Sequence, residues 1–327
     1  MTSAKTGFVK HQTGLTLVEL MVALAIGSFL IVGAVQIYNQ SREAFIVNES
    51  IARVQETAQF AMDTIEADLR MASNWGRNSR GLAVAGRSID GQDNPLDLTL
   101  PAGSCGDTWV LDLALPIDGD NNSYGLGCGA SGTPQTNSDV VTIRRASVQP
   151  AAPQPGRLQI QSTRVQGQLF DDGTVPSEFS AVDSATHNLM VHSYYVAQTS
   201  TLLPGVPTLR RKTLTTVGGA PVIQDQEVAH GVENIQLQLG VDVNQDNAVD
   251  RYVNAGDPIY DPTAAGYVPG ARVIAARLWL VVRGVTPEFG LQDTSTYQPG
   301  DVNLSGLEPN YRRMQVSKTI LLRNART

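Results

Sequence analysis

The sequence predicts an α+β protein in which one long N-terminal helix packs on an antiparallel β-sheet head with long loops. Three observations predict it. From Leu15 to Tyr38 the chain is apolar, and Glu19 is the only ionisable side chain before Tyr38. Helical spacing continues beyond that run, with Val47, Ile51, Val54, Ala58, Ala61, Ile65, Leu69 and Ala72 three or four residues apart and no proline before Ser73. From Arg77 onward, short alternating runs sit between stretches rich in Gly, Asn, Asp, Ser and Pro, the pattern of strands joined by turns.

The first element is long enough to span a bilayer, which takes roughly 20 apolar residues. Glu19 is anomalous there: a carboxylate within a membrane segment costs about 2.5–3.5 kcal/mol even on the mild insertion scale, which marks it as a functional candidate. An ordinary secretory signal has a shorter core followed by a small-x-small cleavage site, whereas this helix pattern runs on. A plain single-pass anchor accounts for the length and for the basic flank of Lys5 and Lys10, but not for Glu19. The basic flank predicts a cytoplasmic N-terminus and an exported remainder. One helix from Leu15 to Ser73, ended by Asn74-Trp75-Gly76, would run about 88 Å at 1.5 Å per residue. A break between Gly33 and Asn39 would keep the same topology.

The heptapeptide Gly14-Leu15-Thr16-Leu17-Val18-Glu19-Leu20 resembles the type III signal of the type IV pilin and pseudopilin family. The resemblance implies cleavage by a membrane prepilin peptidase between Gly14 and Leu15 and N-methylation of the new terminus at Leu15, where the family usually has Phe. It also implies an assembly role for Glu19, at the fifth mature position, in neutralising the N-terminal amine of a neighbouring subunit. Such an ion pair gains far more in apolar surroundings than in water. The chain then divides into a leader (1–14), a membrane and filament-core helix (15–38), the amphipathic half of the same helix (39–75) and an exported β-rich head (76–327).

Composition agrees with a folded, exported head. Of 327 residues, 42% are hydrophobic and 17% charged, which supports a core and excludes disorder. A formal net charge of −7 argues against nucleic acid as a partner. Cys105 and Cys128 are the only cysteines, and on the non-cytoplasmic side a disulfide is the expected state, stabilising by about 3–4 kcal/mol; two buried thiols are the alternative.

Expected strands are Val140–Arg144, Leu158–Gln161, Leu189–Val196, Thr208–Leu214, Val232–Val241, Arg272–Val282 and Met314–Arg323. In Val232–Val241, Ile235, Leu237, Leu239 and Val241 alternate with Asn234, Gln236, Gln238 and Gly240, which predicts one buried and one wet face. Gly284–Pro309 reads as a long polar loop. Val232-Glu233-Asn234-Ile235-Gln236, Arg210-Arg211, the run Arg277–Arg283 and the ending Thr319–Asn324 resemble the PilW family of minor type IV pilins, with the pseudopilin GspJ as the nearest related class. That resemblance implies a non-enzymatic part in a priming complex at the pilus tip, supporting pilus assembly, twitching motility and adhesion. The implied partners are other minor pilins, the major pilin, a tip adhesin, the assembly platform and inner-membrane lipid. Two alternatives stand beside it: a minor pseudopilin of a type II secretion system, and a membrane-tethered periplasmic enzyme or ligand-binding protein.

Chemistry-bearing motifs are sparse. Asp242, Asn244, Asp246, Ala248 and Asp250 occupy positions 1, 3, 5, 7 and 9 of a calcium-loop pattern, making calcium the one candidate cofactor. Val253 stands where the bidentate acid belongs and Asn247 where glycine does, so a hairpin held by Asx-turns is the alternative. Asp118–Asn122 repeats part of the pattern. Arg210-Arg211-Lys212 reads as a solvated strand end or a subunit contact. His192 reads as a satisfied strand residue. No nucleophile-elbow, zincin or Walker motif occurs, and no catalytic residue is assigned.

Overall fold

The computed structural model describes residues 14–89, 93–102, 105, 108–180 and 182–326. The leader therefore lies outside the described residues, except for Gly14. The chain divides into two units, Met1–Ile51 and Ala52–Thr327. Helix α1, Leu17–Met71, supplies the described helix of the first unit and the leading helix of the second.

Within the second unit α1 buries Val54, Ala58, Ala61, Ile65 and Leu69, the stripe that three- and four-residue spacing places on one face. Burial starts at Val54, later than an amphipathic half beginning at residue 39 would give; Val47 is exposed. The helix stops at Met71 because Ser73 takes a left-handed φ of 62°. Asn324, in the turn after the last strand, donates from Nδ2 to the Ala72 carbonyl at 3.2 Å and satisfies one of the open helix-end acceptors. Gly76, at φ 89°, can carry no Cβ, which would lie 2.5 Å from Ser162 Oγ.

Twelve strands follow: β1 Val84–Ala85, β2 Ile117–Asp120, β3 Val140–Ala146, β4 Pro155–Ser162, β5 Gly167–Asp172, β6 Ala185–Ala197, β7 Thr208–Val217, β8 Ala220–His230, β9 Val232–Asp242, β10 Arg251–Asn254, β11 Arg272–Arg283 and β12 Arg313–Leu321. All seven expected strands form. β1, β2, β5, β8 and β10 form outside the expected strands. The first sheet has the order β1-β5-β4-β6-β3-β2, with β7 on β6 and β8 on β7; the second is β10-β9-β11-β12. Pairing is antiparallel except for the two-residue parallel contact of β1 with β5. β6 is the hub, pairing with β4 through Ala185–Asn188, with β3 through Leu189–Tyr194 and with β7 through His192–Ala197.

The larger core joins the α1 stripe to both sheets: Val141, Ile143 and Tyr194 from the first, and Ile235, Leu237, Leu278, Leu280 and Ile320 from the second. A second cluster gathers Trp75, Leu111, Leu158, Ile160, Leu189 and Val191. The wet face expected on β9 is covered instead. Asn234 and Gln236 are each 1% exposed. Both donate to the Asn137 carbonyl, and Gly300 of the 284–312 connection lies against Gln236. Alternation of residue type therefore marked two faces correctly but could not see that loops roof the polar one.

Ile65 is fully buried where helix and sheets meet. Ile65→Ala is expected to lower stability by about 2–5 kcal/mol, read as a fall in denaturant midpoint at unchanged slope; a loss below about 0.5 kcal/mol, typical of surface positions, would remove the stripe from the core.

Candidate functional site: the N-terminal helix and its docking on the head

Gly14 and Leu15 precede α1 and Glu19 lies in its first turn, and all three are exposed. Thr16 is the residue before the helix. The Thr16 N–H and Oγ1 both donate to Glu19 Oε2, at 2.9 and 2.8 Å, and the Glu19 N–H donates to Thr16 Oγ1 at 3.3 Å. This is a reciprocal capping box, which satisfies otherwise open N–H groups. The signal was available in the spacing Thr16-x-x-Glu19, and reading Glu19 only as a subunit contact missed it. Both bonds fall on Oε2, and Oε1 has no partner among the described residues. From this turn to Tyr38 the helix carries no further ionisable side chain. Among the described residues one helix, α1, is long and apolar enough to cross a membrane by length and composition.

The second half of α1 is fixed by two acids on opposite flanks. Residues two apart on a helix point about 200° from each other. Asp68 is buried and faces the first sheet, accepting from Arg145 Nη2 at 2.8 Å and Nε at 3.1 Å, from His192 Nδ1 at 2.5 Å and from Tyr194 Oη at 2.5 Å. Burial alone would raise the Asp68 carboxyl, but the bonds from His192 and Tyr194 and the Arg145 charge outweigh it and hold it well below the carboxylate range. Glu66 faces the second sheet, where Lys318 of β12 donates to Oε2, while Arg70 Nη2 lies 2.6 Å from Oε1. His192 is thus the satisfied strand residue expected.

Other expected sites resolve as follows. Cys105 and Cys128 form a disulfide. The 242–250 segment connects β9 to β10 as a hairpin. Asp242 is fully buried against Arg272 Nη2 at 2.9 Å and accepts from the Gln245 and Asn247 N–H groups at 2.7 and 3.0 Å. Asp246 Oδ1 accepts from Ala248 N–H, and Asp250 Oδ2 from Val243 N–H. The oxygens of Asp242, Asn244, Asp246 and Asp250 therefore serve backbone turns and an arginine rather than one shared point, with the Ala248 carbonyl among them contributing no side chain. Among the described residues no group of three or more His, Cys, Asp or Glu side chains stands where it could hold a metal ion. The alternative, a hairpin of Asx-turns, describes the geometry. Asp118 and Asp120 lie in β2, not in a second such loop.

The reading of Arg210 and Lys212 as a solvated strand end is corrected: both are about 5% exposed. Arg210 binds Asp225 at 2.7 Å and Glu227 at 2.6 Å, and Lys212 binds Asp225 at 3.0 Å. Their partners belong to β8, the strand missed in the sequence.

Asp139, at the start of β3, accepts from the Asn122 and Leu237 N–H groups at 2.8 and 2.7 Å and so links the two sheets. Burial pushes its carboxyl up to about 7 against these bonds.

Two outcomes follow. Asp68→Ala strands Arg145 and His192 in the interior and is expected to cost about 3–5 kcal/mol, measured by urea unfolding of the purified protein. Asp139 has a folded value above the ordinary carboxyl value of about 3.9, so its contribution is fully present below that value and is lost as pH rises through about 7. Stability of the head should fall between about pH 4 and pH 7, and Asp139→Asn should flatten that profile; identical profiles for both proteins would refute the assignment.

Comparison with known proteins bears on both ends of the chain. The family described as Type IV Pilus-assembly protein W matches residues 193–324, from mid-β6 through β12. The prokaryotic N-terminal methylation motif matches residues 9–35. No curated protein matches the chain. Among solved structures, a type IV-like pilin from Thermus thermophilus is 14% identical, with 60% of this chain and 83% of that one covered and a TM-score of 0.31. A methylation-type motif at the N-terminus and a PilW-matching region from β6 through β12, joined by one long helix with an apolar start, make the chain similar to the PilW-type minor pilins at both ends.

Proposed function

We propose that this protein helps initiate type IV pilus assembly in a priming complex at the pilus tip, beside other minor pilins and a tip adhesin, and so supports twitching motility and adhesion. Before assembly it is a single-pass inner-membrane protein with a cytoplasmic leader and a periplasmic head. Prepilin peptidase cuts between Gly14 and Leu15, and the amine of Leu15 is methylated.

The observation that carries this reading is the state of residues 15–38. The helix there is exposed on every side, with Leu15, Leu17 and Phe29 each more than 70% exposed. A helix that is apolar all round needs lipid or other helices. Stacking it in a filament restores its burial at about 25 cal/mol per Å², and the work of the protein is association, not catalysis. Glu19 divides its labour between two oxygens. Oε2 closes the helix end through Thr16 and survives cleavage, because Thr16 lies after the cut. Oε1 remains for a neighbour's amine, which fixes the axial register of one helix against the next.

N-terminal sequencing of protein recovered from membranes should begin at Leu15. Glu19→Ala should insert normally but sharply reduce surface pili. Glu19→Gln separates the two roles, since glutamine also completes a capping box but brings no charge. Full piliation with Glu19→Gln would refute the ion pair while leaving the cap intact.

A further inference from the structure

A cleft of about 410 Å³ opens on the first sheet, within the range of about 300–1,000 Å³ usual for small-ligand sites. It is bounded by β4, β6, β7 and β8. Arg157, His192, Arg211, Thr213 and Thr215 supply its polar wall, and Leu158, Leu189 and Leu214 its apolar one; no Asp or Glu lines it. That is unusual in a chain whose 31 acidic residues outnumber its 24 Lys and Arg.

Strand alternation explains how the charge stays unneutralised. Along β7, Arg210 and Lys212 turn to one face and are neutralised by Asp225 and Glu227 of β8. Arg211 takes the other face, where β8 offers Gln224 and Gln226 in place of acids. Its side-chain bonds go to Gln226 Oε1, from Nη2 at 3.1 Å, and to the Tyr194 hydroxyl, neither of them a carboxylate. The Nε atoms of Arg211 and of Arg157 are both buried without a hydrogen-bond partner. Buried guanidinium N–H groups in that condition need an acceptor. His192 commits Nδ1 to Asp68, which leaves Nε2 as its free ring nitrogen.

We propose that this cleft is a binding site for a small organic anion, whose carboxylate or phosphate is gripped by Arg157 and Arg211 while its apolar body lies on Leu158, Leu189 and Leu214. The planar guanidinium fork matches either oxyanion. The threonine hydroxyls add donors, and His192 connects the site to the acid that docks α1.

The test is calorimetric titration of the full-length protein in detergent with hexanoate, inorganic phosphate and neutral hexanol, against Arg157→Gln and Arg211→Gln variants whose circular dichroism matches the parent. Hexanoate or phosphate should bind at or below about 10 mM, hexanol should not, and each variant should lose about tenfold or more in affinity. Preference for hexanoate assigns a carboxylate on an apolar body, and preference for phosphate assigns a phosphate ester. Binding of neither anion, equal binding of hexanol, or affinity unchanged in both variants overturns the proposal.

Discussion

The head depends on one buried carboxylate. Asp68 sits on the inner flank of α1 and receives every donor that the facing strands β3 and β6 direct at it: a guanidinium, an imidazole and a phenol. Removing a charge from water costs several kcal/mol unless it is paired and bonded, so the acid tolerates one position of the helix and penalises all others. Glu66 repeats the constraint more weakly on the second sheet through Lys318. Between the two, Ala58, Ala61, Ile65 and Leu69 supply the burial energy, which is large but non-directional. Apolar packing holds the helix down, and the acids decide where.

This division explains what could be read in advance. The stripe from Val54 to Ala72 was legible because helical periodicity is a local property. So were seven strands and the apolar, glutamate-bearing start. Asp68 was not legible as a docking residue, since its partners at Arg145, His192 and Tyr194 are distant in sequence and nothing local distinguishes it from a solvated acid. β8 was missed because it is mixed in polarity and largely wet. Its signal was the adjoining turn: Gly218 and Gly219 both have positive φ and join Val217 to Ala220 as a two-residue hairpin, which such a glycine pair favours. Missing β8 concealed the acids that neutralise Arg210 and Lys212. The calcium-like spacing was ambiguous for a related reason: alternating Asp and Asn serve tight turns and cations equally well, and the partner of Asp242, Arg272, lies far along the chain.

The amino-terminal unit presents the opposite case. Its capping box satisfies the first turn locally, while the apolar side chains from Leu15 to Tyr38 are exposed. The two units therefore differ in kind: the second pairs buried charges such as Asp68 and Arg210 internally, whereas the first presents an exposed apolar helix.

The docking pairs also set an order of events in time. Glu66 meets Lys318 across a sequence separation of 252 residues, and Asp68 meets His192 across 124. Loop-closure entropy makes contacts of such range slow to form. During synthesis α1 emerges first and waits, with its inner face uncovered, until β12 has been made. Closure of the head is consequently a late, cooperative step, and nascent chains caught before it present both an apolar helix face and unpaired strands to their surroundings.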